Sequence, residues 1–189
     1  MLSFKKHVWF TSLLIGVFAA VIVTTPAEAR KSKTAIRIDM EAKAALKKLY
    51  KSIPAARRLG EKATAILVFP AILKAGFGYG AATGYGALLK KGKTIGYYNT
   101  FSASYGFQVG AQGFGYALFF MGNDSLSYLD KSGGFEIGVG PSVVVLDAGM
   151  AKKMSSTTVQ KGVYAFIFDQ KGIMGGTGIE GTKISKFYP

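Results

Sequence analysis

The chain has 189 residues and a formal net charge of +14 at pH 7, from 24 basic and 10 acidic residues. It contains no cysteine and one histidine, which excludes disulfides and thiolate metal sites and removes the usual partners of most catalytic nucleophiles. A net charge this positive indicates an anionic partner, for example a membrane surface or another polyanion.

The first 29 residues have the pattern of a secretory signal peptide. Lys5 and Lys6 form a basic start, an uninterrupted apolar run follows over 13–23, and Ala27-Glu28-Ala29 is typical of a cleavage site. A retained membrane anchor is the alternative, but the run is shorter than the roughly 20 apolar residues that a spanning helix needs. We therefore expect an exported protein, periplasmic or associated with the cell envelope, with a single domain over 30–189.

The segment 30–62 is predicted to be basic and helical, with 11 basic and 3 acidic residues. Apolar residues recur at helical spacing over 39–51, while Lys43, Lys47 and Lys51 lie four apart on the opposite face. Pro54 suits the first turn of a second helix over 54–62, because its missing N–H costs no hydrogen bond there.

This charge predicts a lipid-binding surface. An exported protein rarely meets nucleic acid, and each base near an anionic membrane contributes about 1 kcal/mol to binding. A solvated helix face is the alternative, since most charge runs have no ligand. The candidate lipid-binding residues of this segment are Lys43, Lys47, Lys48, Lys51, Arg57, Arg58 and Lys62.

After residue 62 the pattern changes to a period of two, which predicts a β-rich core over 63–189. Between Ala65 and Leu89 the glycines occupy even positions and the aromatic residues odd ones, so one strand face is bulky and the other nearly bare. A row of glycine indicates tight curvature or the close approach of another backbone. The predicted strands are 64–69, 74–89, 94–105, 108–121, 134–146, 162–168 and 173–180, with turns at 90–93 and 130–133 and a short helix over 123–129.

Together these elements predict an α+β protein. Two N-terminal helices are expected to pack on a glycine-rich, strongly bent antiparallel sheet or on a barrel-like β structure. Such sheets bend at glycine residues, and several long strands at close spacing favour this architecture.

Two nucleotide-binding motifs are present only in part. Gly92-Lys93-Thr94 is similar to the end of a phosphate-binding loop, but the spacing to the preceding glycine is wrong and a strand follows instead of a helix. The glycine pairs at 76/78 and 113/115 lack the third glycine of the dinucleotide fingerprint. The only histidine, His7, lies in the signal segment, and the acidic residues show no spacing that suggests a catalytic pair. We therefore expect no enzyme activity, no cofactor and no metal.

Lys74 begins the glycine-rich strand among apolar neighbours. It is a further candidate lipid-binding residue, as a phosphate-binding base at the mouth of a groove. The alternative is a structural lysine that pairs with a carboxylate or extends its head group to solvent.

Four segments, which start at residues 65, 92, 133 and 171, carry a resemblance to a known family. They read AILVFPAILKAGFGYGAATGYGALL, GKTIGYYNTFSASYGFQVGAQGFGYALFFM, GGFEIGVGPSVVVL and KGIMGGTGIEGTKI. Over about 38–188 the chain resembles the SYLF-domain family, most sharply at Lys74–Phe77 and Lys171–Gly181. The resemblance implies phospholipid binding, with phosphoinositides as ligands in eukaryotic members and actin as a partner in the fungal branch, and it implies no catalysis.

The sequence thus predicts a non-enzymatic peripheral protein that recognises anionic phospholipid through its basic N-terminal helical region. Actin is a partner only by analogy with the family, nucleic acid is not expected, and the oligomeric state stays open. One alternative is a structural or partner-binding envelope protein whose glycine face receives another chain. A less favoured one is an outer-membrane β-barrel, because the face opposite the aromatic residues is glycine and not polar.

Overall fold

The computed structural model describes residues 32–131, 135–136, 143–146 and 162–189, and the predicted signal peptide over 1–29 lies outside them. The described part is α+β, as expected. Its helices are α1 (Lys33–Ser52), α2 (Pro54–Lys62) and α3 (Asn123–Lys131), and its strands are β1 (Ala65–Lys90), β2 (Lys93–Phe120), β3 (Phe135–Glu136), β4 (Val143–Leu146) and β5 (Val163–Phe187).

The five described strands form one sheet in the order β1-β2-β5-β3, with β4 also paired to β5. Within the described residues this sheet is open, with β1 at one edge, so the barrel-like alternative is wrong. Neighbouring strands are antiparallel except β4, which runs parallel to β5 and corrects the expectation of a wholly antiparallel sheet. Because β3 and β4 pair with opposite ends of β5, the predicted strand over 134–146 is two strands.

The helices begin and end where capping chemistry favours it. The Ser32 side chain accepts a hydrogen bond of 3.0 Å from the Ala35 amide, so α1 begins six residues before its predicted start at Asp39. Ile53 has an extended backbone, as residues before proline do, and α2 then spans the predicted 54–62. The third helix runs to Lys131, so the turn predicted at 130–133 is wrong at its first two positions, and the last two lie outside the described residues.

Six of the predicted strands merge into three long ones, because the interruptions are bulges instead of turns. β1 continues through Pro70, where the pairing register with β2 shifts. β2 continues through Gly106 and β5 through Asp169, which have φ angles of 150° and 54°. The turn predicted at 90–93 is confirmed, with Lys91 and Gly92 between β1 and β2.

β1 folds back on itself. In a straight strand, positions 71 and 84 would lie roughly 40 Å apart, yet a Cβ atom at Gly84 would lie 2.7 Å from the Ala71 carbonyl oxygen. The bend falls at Gly78, whose φ of 70° interrupts the pairing with β2. We call the bent region the crease, which comprises 76–80 of β1 and the paired positions 104–110 of β2 and 174–180 of β5.

Two apolar layers stabilise this arrangement. The first joins the helices to the sheet and includes Ile38 of α1 and Val68 of β1. The second includes Phe69 from the first half of β1 and Leu88 from its second half, so it lies between the two halves of the folded sheet. The run 65–69 is buried on both faces, which explains why it is apolar without alternation.

Candidate functional site

The seven basic residues predicted in the first two helices all have exposed side chains on α1 and α2. Ile38 and Leu49 on the opposite face of α1 are buried, which leaves the charged face to solvent. The structure therefore places on two consecutive helices, with exposed side chains, Lys43, Lys47, Lys48, Lys51, Arg57, Arg58 and Lys62.

Two of the seven form ion pairs. The Lys43 Nζ lies 2.8 Å from the Asp39 Oδ2, and Asp39 also accepts a hydrogen bond from the hydroxyl of Thr94 on β2. The Lys48 Nζ lies 2.7 Å from the Oδ1 of Asp169 on β5. The Lys48 pair therefore links α1 to the sheet, whereas the Lys43 pair lies within α1. In both cases the charge that the lysine offers to a partner is partly neutralised.

The pair with Lys48 favours the ionised form of Asp169. The hydrogen bond from Lys48 holds the pKa of Asp169 below its usual 3.8, partial desolvation opposes this, and the charges of Lys48 and Lys171 lower it further. Because the folded-state pKa lies below the unfolded one, the stabilising contribution is present above the ordinary pKa and is lost as the pH falls through the folded value. The pair is therefore intact at neutral pH.

The other five basic residues form no ion pair with any residue that the structure describes. We call Lys47, Lys51, Arg57, Arg58 and Lys62 the cation surface. Lys47 and Lys51 lie one turn apart in the second half of α1, and the other three lie on α2. The only acidic residue between positions 47 and 62 is Glu61, so the surface keeps a net positive charge.

Tyr50 of α1 packs against α2 next to this surface. The guanidinium carbon of Arg57 lies 5.8 Å from the centre of the Tyr50 ring. Gly60 leaves room for the phenol, because a Cβ atom at that position would collide with the Tyr50 hydroxyl. Burial raises the pKa of Tyr50 to about 12, while Arg57 lowers it and Glu61 raises it.

Alkaline pH is expected to destabilise the fold through Tyr50. Its folded-state pKa lies above the ordinary value of 10.0, so its stabilising contribution is complete below pH 10.0 and is lost as the pH rises towards about 12. The loss is at most about 1.4 kcal/mol per pH unit, and smaller because solvent screens the half-buried ring. Thermal melting of wild type and Tyr50→Phe over this range measures it, and a parallel decline of the two proteins would contradict the prediction.

Lys74, the eighth predicted site residue, lies apart from the other seven. It is half-buried on β1, where it pairs in register with Gln112 of β2. Both residues line a cavity of 370 Å³ whose walls come from both halves of the folded sheet. Lys74 therefore lines a cavity of the sheet that is partly open to solvent, and it does not belong to the helix surface.

A patch of exposed apolar side chains at the crease was not predicted. Phe77 is 82% exposed and Tyr79 is 74% exposed, and the Tyr79 ring lies 4.9 Å from that of Tyr105 on β2. The alternation of glycine and aromatic residues along β1 contains the signal for this patch. Once the glycine face turns inward, the aromatic face must point outward.

The glycine face of β1 is occupied by the chain itself. A Cβ atom at Gly84 or Gly86 would lie 2.7 or 2.5 Å from the carbonyl oxygens of Ala71 and Val68, respectively. The predicted close approach of another backbone is confirmed at these positions, and that backbone is the first half of the same strand. These positions therefore leave no room for a second chain on the glycine face.

No protein-family model and no curated protein matches the chain. Among the described residues, no cluster of three or more side chains is arranged to hold a metal ion, and none of the helices has the length and apolar character needed to cross a membrane. The resemblance to the SYLF-domain family therefore depends on the four sequence segments alone.

Proposed function

We propose that the protein is a non-enzymatic, peripheral lipid-binding protein that recognises anionic phospholipid through the cation surface. The observation that carries the proposal is the set of five exposed cations without ion pairs on α1 and α2, with Glu61 the only carboxylate in that stretch. At about 1 kcal/mol per base near an anionic membrane, five such residues hold a folded domain on a bilayer. The SYLF resemblance supports phospholipid as the ligand class.

The two ion pairs reduce the number of basic residues that are available for contact with lipid. Lys43 and Lys48 each have a carboxylate within 2.8 Å, which partly neutralises the charge that they offer to lipid. The contact then falls on the second half of α1 and on α2. The signal-peptide pattern at the N-terminus supports a membrane of the cell envelope as the surface that is bound.

Co-sedimentation of the full chain with lipid vesicles tests the proposal. The bound fraction should rise with the content of anionic lipid and fall as salt is added, because the Debye length shrinks from about 10 Å at 0.1 M to about 3 Å at 1 M. Vesicles of neutral phosphatidylcholine give the baseline for any binding by the apolar N-terminal run. Binding that depends on neither anionic content nor salt would exclude the electrostatic mechanism.

The patch at the crease is the observation that favours the alternative of a partner-binding envelope protein. Exposed contiguous apolar surface marks contacts with proteins or membranes, and Phe77 and Tyr79 belong to such a surface. The same vesicle experiment separates the two functions. A protein that leaves anionic vesicles unbound at low salt would favour the partner-binding alternative.

A further inference from the structure

The cavity beside Lys74 has the composition of a ligand site. Its volume of 370 Å³ lies within the range of roughly 300–1,000 Å³ that small-molecule sites occupy. Its walls come from β1, β2 and β5, which are strands and not loops. A site of this kind is held open by the scaffold of the fold.

Polar groups occupy the end of the cavity nearer the crease. Lys74 pairs in register with Gln112 on one half of the sheet, and Ser102 pairs with Thr182 on the other half. The hydroxyl oxygens of Ser102 and Thr182 lie 2.8 Å apart. Among the described residues that line the cavity, Lys74 carries the only charge.

Mainly apolar groups line the end that lies further from the crease, together with the polar side chains of Thr100 and Gln170. Ile72 pairs in register with Phe114, one pair beyond Lys74 and Gln112 along the same face. Tyr116 and Ile167 pair in register and follow in the same direction, towards the helices. The cavity is therefore amphipathic, with the Lys74 ammonium group at the end nearer the crease and a mainly apolar wall at the other.

We propose that this cavity binds a single-chain anionic amphiphile, with the anionic head on Lys74 and Gln112 and the aliphatic chain on Ile72, Phe114 and Tyr116. A phosphate monoester and a carboxylate share the chemistry that this end recognises, which is a compact anion that accepts hydrogen bonds from an ammonium group and an amide. A two-chain phospholipid is too large for 370 Å³. The site is thus distinct from the cation surface and does not depend on its function.

Isothermal titration calorimetry with the full chain tests the site, with octyl phosphate and octanoate as probes below their micelle concentrations. At least one of the two should bind, and their relative affinities identify the head group. Lys74→Gln should weaken binding by ~10- to 100-fold, the range for losing a charged hydrogen bond, and Lys74→Arg should restore most of it. Ser102→Leu places a larger side chain in the cavity and should weaken binding comparably.

Control ligands separate the contributions of head and chain. Octyl glucoside lacks the charge and inorganic phosphate lacks the chain, so both should bind at least about tenfold more weakly than the better anionic probe. Equal binding of either control would overturn the proposal. So would failure of both anionic probes to bind, or unchanged affinity in folded Lys74→Gln and Ser102→Leu proteins, with folding checked by thermal melting.

Variants of the cation surface show whether probe binding in the cavity is separate from membrane binding. Lys47→Gln/Lys51→Gln removes charge from the cation surface and should leave the affinity for the better anionic probe unchanged. Lys74→Gln should in turn leave vesicle binding unchanged. If the surface pair weakens probe binding as strongly as Lys74→Gln does, the amphiphile binds at the helices and the cavity assignment fails.

Discussion

Replacing Gly86 with alanine is expected to lower the free energy of unfolding by about 2–3 kcal/mol, the upper part of the range for overpacking a core. The new Cβ atom would lie 2.5 Å from the Val68 carbonyl oxygen and 2.7 Å from the Phe69 ring. The ring can rotate, but the carbonyl belongs to the folded-back half of β1 and cannot move without shifting that strand. Chemical denaturation of the wild type and the variant measures the difference.

Gly181→Ala is the matched control for this prediction. Gly181 also lies in a long strand, but no heavy atom comes within 4 Å of the position of its Cβ, and its φ lies outside the left-handed region. The change should therefore be neutral, or stabilising by up to about 1 kcal/mol, because alanine restricts the unfolded chain. Equal losses at Gly86 and Gly181 would contradict the fold-back of β1.

The parts of the fold that were predicted correctly are those set by local chemistry. Pro54 determines where α2 begins, and the alternation of apolar and polar residues identifies the strands. The strand boundaries were wrong at Pro70 and Asp169, since both residue types normally interrupt strands. Here the long-range pairing of β1 with β2 and of β5 with β2 continues past them, and bulges absorb the irregularity.

The glycine row indicates a close contact without indicating its partner. Glycine on one strand face predicts that a backbone comes close, but it does not identify which backbone. The answer, Val68 and Ala71 of the same strand, depends on a bend near Gly78 that brings together residues more than ten positions apart. The parallel pairing of β4 with β5 is equally non-local and had no signal in the sequence.

The same distinction between local and long-range contacts applies to the candidate site. Lys43 pairs with Asp39, which lies four positions earlier on the same helix, and helix geometry alone predicts such a contact. The pairing of Lys48 with Asp169 joins α1 to β5 and could not be anticipated. The sequence therefore identified the basic segment, whereas the tertiary structure determines which of its cations stay available for a partner.

Neutralising four residues of the cation surface is expected to reduce the partition coefficient on anionic vesicles by up to about 1,000-fold. The variant is Lys47→Gln/Lys51→Gln/Arg58→Gln/Lys62→Gln, and the estimate takes about 1 kcal/mol for each base near the membrane. All four side chains are exposed, and none has an ion pair with a described residue. The variant should therefore keep the melting temperature of the wild type, which circular dichroism checks beside the vesicle assay.

A comparison of two double variants tests whether the position of the charge matters or only its total. Lys47→Gln/Lys51→Gln and Lys90→Gln/Lys93→Gln each remove two exposed lysines, the first pair from α1 and the second from the ends of the strands that flank the β1–β2 turn. If the helices face the bilayer, the first variant should lose about 30-fold in affinity and the second much less. The comparison is made at about 0.15 M salt, where the Debye length is about 8 Å, since charges further from the surface than a Debye length contribute little. Equal losses would show that net charge alone attracts the protein, and the assignment of the lipid contact to α1 and α2 would then fail.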